Sequence, residues 1–291
     1  PSAVLDLRRL QDAWTEGTPK AVNKLGYEGV ETQAIAGLAV HRLLDDTAPE
    51  TTAASLLAQT ATDVDLFARA FPEEPQETRV RQETAGLAIA AYERTLVADQ
   101  APFQDWLRGD STALTDTQKR GAAVFFGDGQ CVQCHSGPAL AGMDFHALGL
   151  NDLDSAPGAI IKDAAFPEVF GRGAFTGLEA DMFTFKVPQL YNLADQVDFG
   201  HGANFASVRA MIDYKNVAIA ENPRVPETAL AAGFHPLGLT EADVAALTDF
   251  LENGLRDDAL GRYVPATLPS AQCFPDNDRV AQQESNLNCP Q

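Results

Sequence analysis

Cys131-Val132-Gln133-Cys134-His135 sets two thiols three residues apart and an imidazole directly after the second. That spacing is the attachment motif of a c-type haem. Each cysteine can form a thioether to a haem vinyl group, and the histidine then lies under the iron as proximal ligand. A neutral imidazole binds iron well, and a covalent tether keeps the cofactor in a partly open pocket. Two other chemistries use such a cysteine pair. A zinc site needs a second ligand pair at short spacing, but the other cysteines, Cys273 and Cys289, are far away and sixteen residues apart. A redox dithiol of the thioredoxin kind needs a βαβ setting, which the sequence does not offer. Covalent haem is the reading the motif supports.

Iron held in this way commonly takes a second axial ligand from a distant segment. The sequence offers His146, His201, His235, Met143, Met182, Met211 and Lys215, and composition does not choose among them. Residues 207–216 read as a helix capped by Ser207 or Asn204, with Val208, Met211, Ile212 and Lys215 on one face. A lysine ending an apolar stripe commonly snorkels to water. His41, in the helical stretch 29–44, is open to a structural role or to an iron-binding or catalytic one.

The elements that must position these residues read as mainly helical. Helical patterns cover Leu5–Trp14, Gly29–Leu44, Ala53–Phe71 and Val80–Val97. In the last of these Ala85, Ala88, Ile89, Tyr92 and Leu96 form the expected apolar face. Pro102, Phe103, Trp106 and Leu107 form a docking segment. Thr115 and Gln118 make a capping box for a helix over Asp116–Phe126, which leads straight into the cysteine motif. Gly121 in mid-helix costs about 1 kcal/mol relative to alanine, and the close approach of another helix would justify it. Thr240-Glu241-Ala242-Asp243 caps a second helix with Val244, Leu247, Phe250, Leu251 and Leu255 on one face. A helix before the motif, crossed at a glycine by a C-terminal helix, is the pattern of a class I cytochrome c domain. The long Gly- and Pro-punctuated region Ser136–Ala206 fits loops wrapped on a cofactor, with strands short at best.

The expected divisions are a helical N-terminal region over 1–112, a haem domain over 113–262 and a C-terminal extension over 263–291. The 291 residues are 45% hydrophobic and carry 21 basic against 41 acidic side chains, a net charge of −20. That balance argues against nucleic acid and anionic membrane, and favours a well-solvated surface or a basic partner protein. No run of about 18 apolar residues occurs, so no membrane span is expected. The opening at Pro1, without methionine or signal peptide, reads as a processed or trimmed chain. Haem c attachment takes place outside the cytoplasm, which points to a periplasmic or secreted protein. Cys273 and Cys289 agree with an oxidising compartment: a disulfide between them would add roughly 3 kcal/mol on the chain-entropy model.

Several stretches together resemble the second haem domain of bacterial di-haem cytochrome c peroxidases and of the related oxidases of protein maturation. They are Ile89 to Leu96 (IAAYERTL), Lys119-Arg120-Gly121 with Phe125-Phe126, Cys131 to Pro138, Phe185 to Asn192 (FKVPQLYN), and Phe199-Gly200-His201-Gly202. The resemblance runs from about Gly29 to Gly254. It implies a second axial ligand fourteen residues after His201, which is Lys215 where the family has Met or Tyr; Met211 lies one helical turn earlier. It implies a first, peroxide-cleaving haem on a segment absent here, since this chain has one such motif and residues 29–44 match the part that follows the first haem. His41 or Arg42 would then sit near the family's acid/base position. It also implies calcium between the haems, held largely by backbone carbonyls, with Gln196 and Asp198 as the nearest matches.

Three functions follow as expectations. The first is the electron-transfer domain of a peroxidase-like enzyme, fed by a small cytochrome or cupredoxin and serving a first haem on another segment or chain. The second is a mono-haem electron carrier or subunit of a redox assembly without peroxidase activity. The third is an oxidase that modifies a bound protein.

Overall fold

The computed structural model describes residues 27, 29–38, 61–142, 144–152 and 167–262. His41, Met143, Cys273, Cys289, the Leu5–Trp14 stretch and the 263–291 extension lie outside the described residues. The chain divides into two compact units, one within residues 1–96 and 261–291 and the other Val97–Leu260.

The first unit contains α1 (Val30–Gly37), α2 (Ala61–Ala70) and α3 (Gln82–Glu93). α3 does not bury the large-residue face expected of it. Of that face Ala85 is buried while Ala88, Ile89, Tyr92 and Leu96 are exposed, and Thr84, Gly86 and Ala90 are buried beside Ala85. The reason is at Gly86, where a Cβ would come within 2.6 Å of the Ile35 Cα: small residues let α1 and α3 meet backbone to backbone. The Gln82 amide donates to Ile35 O at 2.9 Å and Tyr27 Oη donates to Glu83 at 2.7 Å, fixing that register. Leu38, Phe67 and Ala85, with Phe71 and Val80 beside them, form a small core.

The second unit is built on α4 (Pro102–Leu107), α5 (Asp116–Phe126), the short α6 (Arg172–Thr176), α7 (Val208–Val217) and α8 (Glu241–Asp249). α8 runs on as one wide π turn over Phe250–Gly254. The capping signals form as read. Thr115 Oγ1 accepts from Gln118 N at 3.2 Å while Gln118 Oε1 accepts from Thr115 N at 3.0 Å, and Thr240 and Asp243 make the same exchange. Such caps contribute about 1 kcal/mol each. Gly121 is the crossing point of α5 and α8, since a Cβ there would stand 2.0 Å from Ala246 O. Around the crossing Phe103, Leu114, Phe125, Leu247, Phe250 and Leu255 fill the core, with Phe103 edge-on to Phe250 at 5.2 Å between centroids. Phe103 and Leu114 bring the 97–115 segment into this core.

The fold is mainly helical, of the cytochrome c type. The described strands are two residues long, β1 (Phe145–His146) and β2 (Phe185–Lys186), paired antiparallel with His146 opposite Phe185. This brace ties together the two ends of a long connection, and its residues form part of the site below.

Candidate haem site

The site begins at the C-terminal end of α5. Gly129 N–H closes on Val124 O at 2.8 Å, and Gln130 adopts a left-handed φ of 53°. The chain then enters a 3₁₀ turn over Cys131–Gln133. The N–H groups of Cys134 and His135 both bond the Cys131 carbonyl, at 3.2 and 2.8 Å, so the turn closes on the first residue of the motif.

His135 Nδ1 donates to two carbonyl oxygens, Leu140 O and Pro188 O, each at 3.1 Å. Carbonyls only accept, so the proton belongs on Nδ1 and the Nε2 lone pair is left for a metal. Leu140 is itself buried and has φ of 47°, in the left-handed region. Burial holds His135 below the ordinary histidine range, against an upward push from the two carbonyl bonds, so the ring is neutral near pH 7. Burial pushes the Cys131 thiol up to about 11 and moves Cys134 in the same direction. Reactive and metal-binding cysteines need the opposite shift. Two partly buried, protonated thiols beside a committed imidazole suit thioether attachment better than redox or zinc chemistry.

A cavity of about 720 Å³ opens against this motif, walled by Cys131, Cys134 and His135 and otherwise mostly by apolar side chains. Packed interiors keep few voids larger than a water molecule. This volume falls among cofactor pockets, roughly 300–1,000 Å³. The residues present therefore fit a covalently bound haem.

α7 contributes Val208, Met211, Ile212, Tyr214 and Lys215 to the wall. Lys215 Nζ donates to Gly233 O and lies 5.5 Å from the centroid of Phe234. Burial drives its ammonium below the ordinary lysine range, with the nearby cysteines opposing. Met211 packs on the Leu150–Tyr214–Phe234 cluster. His201 stacks on Phe185 with centroids 3.6 Å apart and planes 9° from parallel, and its Nε2 donates to Asp152 Oδ1 at 2.9 Å. Burial lowers the His201 pKa and Asp152 partly restores it. Asp152 is 1% exposed, and its second oxygen accepts from Asn222 at 2.6 Å and Arg224 at 2.7 Å.

The structure thus gathers Cys131, Cys134, His135, His146, His201, Met211 and Lys215 on one cavity. Of the other candidates, His235 is exposed with Nδ1 against Pro236 O, and Met182 packs on Gly173; neither lines the cavity. Gln196 and Asp198 also line it, while no cluster of three His, Cys, Asp or Glu side chains arranged for a metal occurs among the described residues. Sequence reasoning missed Asp152, Asn222, Arg224 and the carbonyls of Leu140 and Gly233. The last two act through backbone, and only the FKVP stretch pointed toward Pro188.

A profile of the di-haem cytochrome c peroxidase family matches residues 13–112. The methylamine utilization protein MauG of Methylorubrum extorquens is 31% identical over 192 residues, 64% of this chain and 47% of that one. The cytochrome c peroxidase Ccp of Escherichia coli is 37% identical over 136 residues, 44% of this chain and 27% of that one. In sequence the chain resembles members of the di-haem cytochrome c peroxidase family. It spans about half or less of the length of these two relatives. A crystal structure of a MauG-like protein associated with microbial copper homeostasis shares the fold with a TM-score of 0.63, at 23% identity, over 84% of this chain and 71% of that one. The di-haem peroxidase BthA from Burkholderia thailandensis does so at 0.57 and 18% identity. These likenesses support a haem protein of the di-haem peroxidase kind, a family whose cofactor is haem c. Among the described residues no helix is long and apolar enough to cross a membrane.

Proposed function

We propose that this chain carries the electron-transfer haem of a di-haem peroxidase-like oxidoreductase, which reduces hydrogen peroxide with electrons from a small cytochrome or cupredoxin outside the cytoplasm. The observation that carries the reading is the convergence of His135 and α7 on one cavity. Cys131 and Cys134 would tether the haem, and His135 would bind its iron through Nε2. Lys215, position-matched and already pushed toward its neutral amine by burial, would take the second axial position, with Met211 one turn earlier as the thioether alternative. Bound there, the haem supplies one-electron redox chemistry. With His135 and Lys215 or Met211 as its ligands, this haem would serve electron transfer, and peroxide cleavage would fall to a first haem on another segment or chain.

The chain's own groups make that work possible. The Nδ1 bonds to Leu140 and Pro188 hold the His135 ring in one tautomer and orientation, with Nε2 left for the iron it would bind. The mostly apolar wall would limit the access of water to a haem held there. Intact mass together with a haem count from the pyridine-complex spectrum tests the reading. Two haems per functional unit, with peroxide turnover by a reduced cytochrome, is the expected result. One haem and fast electron exchange without turnover would replace it with a mono-haem carrier, in line with the single CxxCH of this chain. Lys215 is tested by the ferric spectrum, where a far-red thioether band would assign Met211 instead.

A further inference from the structure

A second, smaller hollow lies on the outer side of α7. It has a volume of about 480 Å³ and is lined by Phe205, Asp213, Tyr214, Val217, Ile219 and Glu221, with Ala210. Val217 and Ile219 are 54% and 69% exposed. Large aliphatic side chains this open, side by side on a helix end, are a feature of contact surfaces more than of solvated ones. Tyr214 is buried, and it alone of the groove residues also lines the haem cavity. Its ring lies between Phe205, 5.2 Å away, and Phe234, 5.4 Å away, while its hydroxyl donates to Leu148 O at 2.6 Å. One ordered side chain therefore separates the groove from the space for the haem.

We infer that this groove is the docking site through which a small redox protein exchanges electrons with the cavity, and that the partner presents an apolar contact face ringed by lysines. The inference rests on the electron-transfer reading above and adds to it the place and chemistry of the partner. Electron tunnelling weakens steeply with distance and is helped by packed atoms, so a partner seated on Val217 and Ile219 has the Tyr214 ring as its bridge. The Tyr214 hydroxyl is held on Leu148 O and its ring between Phe205 and Phe234, so it serves as packed medium. The charge around the groove selects the partner. Asp213, Glu221 and, through Arg209, Glu241 flank it, with Arg209 already paired to Asp213 at 3.4 Å and to Glu241 at 2.6 Å. With −20 on the whole chain, a second copy or an anionic lipid surface is repelled, and a basic protein is steered in. The small apolar contact is in keeping with electron-transfer encounters, which sit below about 1,200 Å² of buried surface.

The test uses the haem-loaded protein and mitochondrial cytochrome c, a small basic haem protein, with electron exchange followed by stopped flow in the downhill direction. Val217→Asp with Ile219→Asp should lower the second-order rate at least tenfold. Asp213→Lys with Glu221→Lys should lower it comparably and flatten its dependence on salt. Reduction by dithionite and the haem spectrum should stay as in the parent, which shows the cavity intact. Exchange at the parental rate in both variants would overturn the groove and leave the haem reading standing. A haem that neither dithionite nor cytochrome c can reduce or oxidise would overturn that reading and the groove with it. Concentration-dependent dimerisation that the Asp pair abolishes would assign the groove to a second copy and reject the partner proposed.

Discussion

Asp152 and Asp257 are equally hidden, each 1% exposed, yet the hydrogen bonds described at their carboxylates differ in kind. Asp257 is met by backbone: its carboxylate accepts N–H groups of Asp99 and Gln100, both at 3.1 Å, and of Ala259 at 2.9 Å. Its own main chain exchanges two bonds with the Asn192 amide, at 3.0 and 3.1 Å. Asp152 is met by side chains, His201, Asn222 and Arg224, and stands in the cavity wall. Through its backbone bonds Asp257 fastens the segment before α4 to the chain just after α8. A carboxylate tied to a histidine and an arginine sets the electrostatics of what lies beside it. Two buried acids of the same exposure thus divide into a fastener and a regulator of the cavity.

Breaking the fastener should have the largest effect. Asp257→Ala leaves three backbone donors without their charged acceptor and should remove on the order of 4 kcal/mol, read by urea unfolding; a change under 1 kcal/mol would erase the distinction. Asp152→Asn should cost less, about 2 kcal/mol, because the Arg224 left behind is partly solvated. Its signature lies elsewhere. Removing a negative charge beside the cavity should raise the haem reduction potential in spectroelectrochemistry, whereas Asp257→Asn should leave it unmoved. Lys215→Met should bring in the far-red thioether band with stability changed by about 1 kcal/mol or less, while Met211→Leu leaves the parental spectrum.

The smallest effect is in pH. In the haem-free protein burial lowers the pKa of both His135 and His201, so below the ordinary value of about 6.5 the unfolded chain binds these protons first. Stability is then full above that pH and falls as acid takes the solution through the folded values. Asp152→Asn should steepen this loss, since the carboxylate no longer offsets burial at His201.

What could be read from the sequence was local. Thr115 with Gln118, Thr240 with Asp243, and Ser207, whose Oγ accepts from Ala210 N–H at 3.1 Å, all close within three residues, so pattern alone reaches them. The cysteine motif is equally compact, and the i, i+3, i+4, i+7 stripe of α7 placed Met211 and Lys215 on the face that lines the cavity. Gly121 was legible because its helix penalty demanded a neighbour. The same logic missed α3: counting large apolar residues selected Ile89 and Tyr92, while contact runs through Gly86, whose value is its lack of a side chain. The Asp152 cluster was beyond reach for another reason. Arg224 lies 72 residues from Asp152 and His201 lies 49 away, so only the folded loops bring them together.

Leu140 deserves its left-handed φ of 47° only if something is gained by it, because a residue with a Cβ is strained there by about 1–2 kcal/mol. Its side chain is 4% exposed in the main core and its carbonyl lies on His135 Nδ1. One peptide thus couples the oil of the interior to the basicity of the proximal imidazole. A repacking of the core around Leu140 would therefore be felt at the His135 ring without any change in a residue that lines the cavity.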